Sequence, residues 1–445
     1  MFRTIATIIV WSIIAYHVLY GLYLQIMNII NSKKIQHKQE LTVETKDSPV
    51  SFVIVIPCWK EQKIIHETIN HFLPFHSSEL IKKVLIVTSS SEKADEGKTT
   101  YDLAQEYLNS HSYNSFVEII HCPPELLSKP AKVNYAVRQW ISRQCCTTLQ
   151  YICMYDADSR PCLSTFATIA SQIRETGIAA DIYQQVSCYC NNIASIEGFG
   201  KYYSLADAIA QTHWALSFEY SLYEEYSFCQ KHKYLTPPYY LIGHGCFISL
   251  DYYCHIGGIP EINHCDDAAL GFLSGLLNAS LQIVPVLDTC DVAPTSFASI
   301  LQSRSWFHGS NQYNSNLRYF IKTYRTQPRK LQRVYWCLRE YLRNFFWGWR
   351  APLMLAAFIL GLAMGLPCVW VGVLIGILFY VEIPYFLTCH MLTKIKGLKF
   401  CVHPWDIFLG SLVAILAYFG RCIGPFLGSL EFKKAKNDFT YKTKR

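Results

Sequence analysis

Residues 51–61 read SFVIVIPCWKE. The run from Ser51 to Ile56 is rich in β-branched residues and stops at Pro57, the pattern of a strand buried on both faces. Glu61–Phe72 then reads as a helix. The same alternation continues outward. Strands are expected over Lys83–Val87, Phe116–Ile120 and Tyr151–Tyr155, with helices over Ala94–Leu108 and Ala131–Arg143. Strands alternating with helices predict an α/β, Rossmann-like domain around a mostly parallel sheet. Ligands of such sheets bind at the carboxyl ends of the strands, so chemistry-bearing residues are sought there.

The ends of the chain have a different composition. Charged residues make up only 16% of the 445 residues, against ~25% in ordinary soluble domains. Thr4–Ile30 contains no Asp, Glu, Lys or Arg and is long enough to cross a bilayer. It predicts an uncleaved anchor over 1–32, with Lys33, Lys34 and Lys38 placing the following domain (45–325) in the cytosol. Residues 328–350 mix aromatics with Arg and Lys and read as an amphipathic helix in the membrane interface. Residues 351–430 hold two to three further spans, and 431–445 form a basic tail. Three spans there would put the tail outside, whereas its six Lys and Arg argue for the inside. These features predict an integral protein of the plasma or inner membrane. The net charge of +7 collects near the membrane ends, which favours anionic lipid over nucleic acid as a partner. The 18 cysteines lack paired zinc-site spacing and read as reduced thiols.

Asp156-Ala157-Asp158 follows the strand Tyr151–Tyr155 directly. Two carboxylates at i and i+2 on a strand end can share Mg²⁺ or Mn²⁺ with a diphosphate; a solvated turn is the plain alternative. Several further motifs occur in order: Val53–Glu61, Lys129-Pro130-Ala131-Lys132-Val133-Asn134, Ile242-Gly243-His244-Gly245, Cys265-Asp266-Asp267-Ala268, and Gln302-Ser303-Arg304-Ser305-Trp306. Together they resemble the membrane-bound inverting glycosyltransferases of family 2, which have the GT-A fold and include cellulose, chitin and hyaluronan synthases. The resemblance runs from about residue 50 to the C-terminus.

The resemblance implies a metal-dependent transferase with Asp267 as general base and Asp156 and Asp158 on the metal. Pro57, Glu61, Lys129 and Asp156 would line the donor nucleotide. Where the family carries Asp after the second strand, this chain has Thr88-Ser89-Ser90-Ser91, and Asp95 is the nearest candidate. Asp266 stands where the family usually has Glu. Gln302, Arg304 and Trp306 would meet the acceptor or diphosphate, with Arg304 one position earlier than the family pattern. His244 reads equally as an acceptor or phosphate contact and as a structural histidine. The implied partners are a UDP- or GDP-sugar donor and a lipid-linked or growing polysaccharide acceptor. Two other classes stay open: a non-catalytic membrane scaffold of the same fold, and a transporter, for which Glu382 in an apolar run is the motivating residue.

Overall fold

The computed structural model describes residues 2–39, 48–93, 97–111, 115–143, 149–262, 265–398, 400 and 402–430. Asp95 and the basic tail lie outside the described residues. After a long first helix, α1 (Phe2–Gln39), the chain alternates: β1 (Val50–Pro57), α2 (Ile65–Phe72), β2 (Ile81–Ser89), α3 (Thr100–His111), β3 (Val117–Cys122), α4 (Lys129–Ile141), β4 (Leu149–Met154), α5 (Leu163–Thr176) and β5 (Ile182–Tyr189). Two helices follow, α6 (Gly200–Trp214) and α7 (Tyr220–Lys231), joined by a π-helical turn at Ala215–Glu219. Next come β6 (Cys246–Ser249), α8 (Leu250–His255), α9 (Asp266–Leu276), β7 (Leu281–Cys290), α10 (Ser296–Asn311) and α11 (Tyr313–Tyr324).

The seven strands form one sheet in the order β3-β2-β1-β4-β6-β5-β7. Only β6 runs antiparallel to its neighbours, β4 and β5. β1 lies between β2 and β4, with Ile54 opposite Val84 on one side and Cys153 on the other. Its side chains alternate between two cores, as a pleated strand requires. Phe52, Ile54 and Ile56 pack with Ile65, Ile69 and Phe166, from α2 and α5. Val53 and Val55 pack with Val133, Val137 and Leu270, from α4 and α9. Every residue of β1 except Pro57 is buried, which is why the sequence shows a continuous apolar run rather than an alternating one.

Two helix starts fall later than expected. The first is Ile65 rather than Glu61, because Lys60 adopts a left-handed conformation (φ 59°) while its amide is held by Glu92 Oε2 at 3.1 Å. The second is Thr100, where the Thr99 amide bonds to Asp102 Oδ2 at 2.9 Å, a reciprocal cap that sets the boundary.

The last elements are α12 (Lys330–Ala363), α13 (Pro367–Ile377), α14 (Ile383–Thr393) and α15 (Pro404–Leu430), with a second π-helical turn, Leu378–Glu382, between α13 and α14. The expected division at position 350 is absent, since α12 runs unbroken through Pro352. Among the described residues, four helices are long and apolar enough to cross a membrane: Arg3–Lys38, Lys330–Ala363, Pro367–Thr393 and Pro404–Ser429. The first is tied to the α/β domain. Asn31 Nδ2 donates to the Leu216 carbonyl at 2.9 Å, and Lys34 pairs with Glu224 at 2.7 Å. The described cysteines are all free thiols.

Candidate active site

Four separate elements bring their termini to one place beside β4. Ser128 caps α4 by accepting from the Ala131 amide, which puts Lys129 at the first helical position. Its ammonium lies 2.9 Å from Asp156 Oδ1 and 3.3 Å from the Gly243 carbonyl. Asp156 follows β4, and the Ser159 amide bonds back to the Asp156 carbonyl at 3.0 Å. That turn carries Asp158, whose Oδ2 accepts from the Asp291 amide at 3.1 Å. Asp266 and Asp267 open α9, where the helix dipole favours negative charge.

Gly243 is what lets these groups approach. A Cβ there would stand 3.1 Å from Asp267 Oδ2 and 3.5 Å from Lys129 Nζ. Burial alone would lower the Lys129 pKa, but the charges of Asp156, Asp266 and Asp267 reverse that and hold the ammonium protonated. Burial, reinforced by Asp266, pushes the Asp267 carboxyl up to about 7, against the pull of Lys129. Burial raises Asp266 as well. A carboxyl poised near neutrality suits general base chemistry.

His244 Nδ1 sits 2.8 Å from Asp288 Oδ2, and both residues are buried. Burial would lower the imidazole pKa, yet the hydrogen bond and charge of Asp288 raise it. Asp288 is itself lifted by burial and drawn down by His244. The upward direction at His244 fits a protonated histidine facing Asp288, while burial leaves the Asp288 carboxyl above its ordinary value.

One cavity of about 420 Å³ connects these groups. Lys129, Asp156, Asp158, His244, Asp266, Asp267, Gln302 and Trp306 all face it. Pro57 and Glu61 do not. They stand at the carboxyl end of β1, where the Glu61 amide bonds to Thr100 Oγ1 at 3.0 Å. Arg304 is also absent from the lining, and the cause is helical geometry. Its segment is part of α10, and at 3.6 residues per turn positions 302, 305 and 306 share a face while 304 points almost opposite. On that far side a Cβ at Gly424 would meet the Arg304 amide nitrogen at 2.7 Å, so the backbone there packs against α15. Ser305 lines the cavity in its stead.

Several cavity residues escaped the sequence reading: Asp291, Tyr189, Glu219, Tyr240, Arg343, Arg350 and Arg421. Glu219 accepts from the Tyr240 hydroxyl at 2.8 Å, and burial pushes its carboxyl up to about 7. It comes from a π-helical turn, which no spacing rule signals. Asp288, the partner of His244, sits inside a strand pattern and gave no local cue.

For a divalent cation the donors present are the carboxylates of Asp156 and Asp158, with Asp291 beside them. Among the described residues no group of three or more His, Cys, Asp or Glu side chains is arranged to hold a metal. Two carboxylates completed by diphosphate oxygens meet the preference of Mg²⁺ for few protein ligands, so the donor set fits a cation brought with its nucleotide.

A mostly parallel mixed sheet with acidic residues at its strand ends fits a Rossmann-like α/β fold, of a kind found in glycosyltransferases. A structure of that kind aligns with nearly the whole chain: the mannosyltransferase from Pyrobaculum calidifontis in complex with GDP-Man and Mn²⁺. The TM-score is 0.50 with 12% sequence identity, covering 93% of this chain and 98% of that one. At that identity the likeness speaks for the fold. No protein-family model and no curated protein matches the sequence.

Proposed function

We propose that the protein transfers a sugar from a nucleotide-sugar donor to an acceptor at a membrane, with inversion at the sugar carbon. The observation that carries this reading is the convergence of Lys129, Asp156 and Asp267 around Gly243 in a glycosyltransferase-like fold. The acceptor hydroxyl oxygen bonds to the anomeric carbon as the bond from that carbon to the diphosphate breaks. The electron pair leaves with the nucleoside diphosphate, and the hydroxyl proton passes to Asp267. Lys129 places a positive charge beside the departing diphosphate. Asp156 and Asp158 would hold Mg²⁺ or Mn²⁺, which supplies charge neutralisation on the leaving group. Trp306 offers a flat apolar face to a pyranose. The donor is a GDP- or UDP-sugar; the structural neighbour's complex with GDP-Man and Mn²⁺ supports that class. The four apolar helices support a membrane setting, with the α/β domain on the cytosolic face.

The test is nucleoside diphosphate release by the full-length protein in detergent. A panel of UDP- and GDP-sugars is offered with Mn²⁺ or Mg²⁺ and native lipid extract. Release from one donor is expected. It should stop with chelator, return with metal, and be abolished in Asp267→Asn and Asp158→Ala. Release that survives Asp267→Asn removes that residue as the base, and no release from any donor in a folded sample counts against transfer.

A further inference from the structure

Arg350 lies within α12, in one of the four helices long enough to cross a membrane, and it lines the same cavity as Asp267. No carboxylate of the described residues pairs with it. Its neighbours are aromatic. The guanidinium carbon lies 4.7 Å from the Tyr380 ring centroid, 5.3 Å from Tyr20 and 6.0 Å from Tyr16. Its guanidinium donates to the Tyr16 hydroxyl at 3.4 Å, and its Nε is buried without a hydrogen-bond partner. The other cavity arginines differ. Arg343 pairs with Glu340 at 2.5 Å, and Arg421 approaches Asp207 at 3.6 Å.

A guanidinium taken out of water without a counter-charge is costly, and contact with aromatic faces recovers only part of that cost. Tyr16 and Tyr20 come from α1 and Tyr380 from the π turn after α13. Tyr418, on α15, lines the cavity with Tyr380, their ring centroids 5.7 Å apart, and has its hydroxyl 2.9 Å from His17 Nε2. The other three apolar helices therefore meet around a cation, carried by the fourth, that has no anion among the described residues. The walls nearby are apolar, with Leu24 and Val381 in the lining. A neutral glycan would leave the charge unmet. An anionic head group on an apolar body meets both the charge and the walls, and phosphate oxygens match the paired N–H groups of a guanidinium.

We infer that Arg350 binds the phosphate or diphosphate of a lipid carrier, whose attached sugar reaches Trp306 and Asp267. This inference rests on the transferase reading above and names its acceptor class.

The test is thermal unfolding of the full-length protein in detergent with farnesyl phosphate, farnesol or inorganic phosphate. Farnesyl phosphate is expected to raise the melting temperature, and the other two at equal concentration are not. Arg350→Gln should weaken the farnesyl phosphate affinity about tenfold or more, the scale of one charged hydrogen bond. Arg350→Lys should recover part of it. An equal shift with farnesol, or with inorganic phosphate, overturns the inference, as does unchanged affinity in Arg350→Gln. The wild-type comparison of phosphate with alcohol decides even if the Gln variant does not fold. Farnesyl phosphate binding without nucleoside diphosphate release would remove the transferase reading and keep this site. Release without such binding would do the reverse.

Discussion

Gly243 separates Lys129 from Asp267 by the width of a missing side chain: an added methyl would lie 3.5 Å from the ammonium and 3.1 Å from the carboxylate oxygen. Gly243→Ala is therefore expected to spread the two charged groups while leaving the sheet intact. Transfer should fall by about tenfold or more, because small displacements of reacting groups cost rate steeply. The melting temperature should change little. Unaltered turnover in this variant would show that the two groups need not stand so close.

Burial and the neighbouring Asp266 push the Asp267 carboxyl up from its ordinary 3.8 to about 7. As a base it must be ionised, so turnover should rise as pH increases through about 7 and level off above. Asp267→Asn should lower the rate by on the order of 10²- to 10⁴-fold at every pH. Stability runs the other way. A raised carboxyl pKa means that the folded state holds a proton which the unfolded chain gives up. This contribution is present below the ordinary pKa and is lost as pH climbs through the folded one. Asp267→Asn should flatten that decline between pH 4 and 8, read by chemical denaturation at each pH.

His244 and Asp288 are both buried, so removing one partner strands the other. Asp288→Ala is expected to cost about 3 kcal/mol, with a smaller loss for Asp288→Asn, which keeps a hydrogen-bond acceptor. Urea midpoints at constant slope would measure it. In the wild type the ion pair should weaken as pH rises past the elevated histidine pKa. A midpoint for Asp288→Ala equal to wild type would mean that His244 loses nothing without its partner.

On α10, Trp306 faces the cavity and Arg304 does not. Trp306→Ala should raise the acceptor KM about tenfold by removing a stacking face. Arg304→Ala should change it less than about threefold, the range of most substitutions away from a site. Steady-state kinetics with varied acceptor separates the two, and a larger effect at Arg304 would contradict the helical phase described for α10.

How far the sequence could be read follows from the range of each signal. β1, β4 and the acids that close them were legible because a buried strand is a local apolar run and its end is marked by Pro57 or Asp156. Asp266 and Asp267 announced a helix start for the same reason. Arg304 misled because a one-position offset from the family pattern, small along the chain, turns the side chain by ~100° once the segment is helical. Arg350, Tyr16, Tyr380 and Tyr418 belong to four different helices, so nothing in their separations along the chain brings them together. Glu92 was likewise overlooked. It accepts from the Lys60 and Thr100 amides at 3.1 and 2.8 Å and so shapes the loop after β1 from a distant stretch.

The two π-helical turns, Ala215–Glu219 and Leu378–Glu382, have a consequence for chain length. Each amounts to an α-helix carrying one surplus residue, and each supplies cavity residues: Glu219 from the first, Tyr380 and Val381 from the second. Deleting a single residue from 378–382 would restore ordinary winding, taking out the bulge while the helix beyond it keeps its face. Pro384 and Tyr385, which also line the cavity, would keep their neighbours, and the change would fall on Tyr380 and Val381. At these two points the shape of the chamber is a matter of counting residues: a one-residue deletion would remove the local widening that presents Glu219, or Tyr380 and Val381, to the cavity.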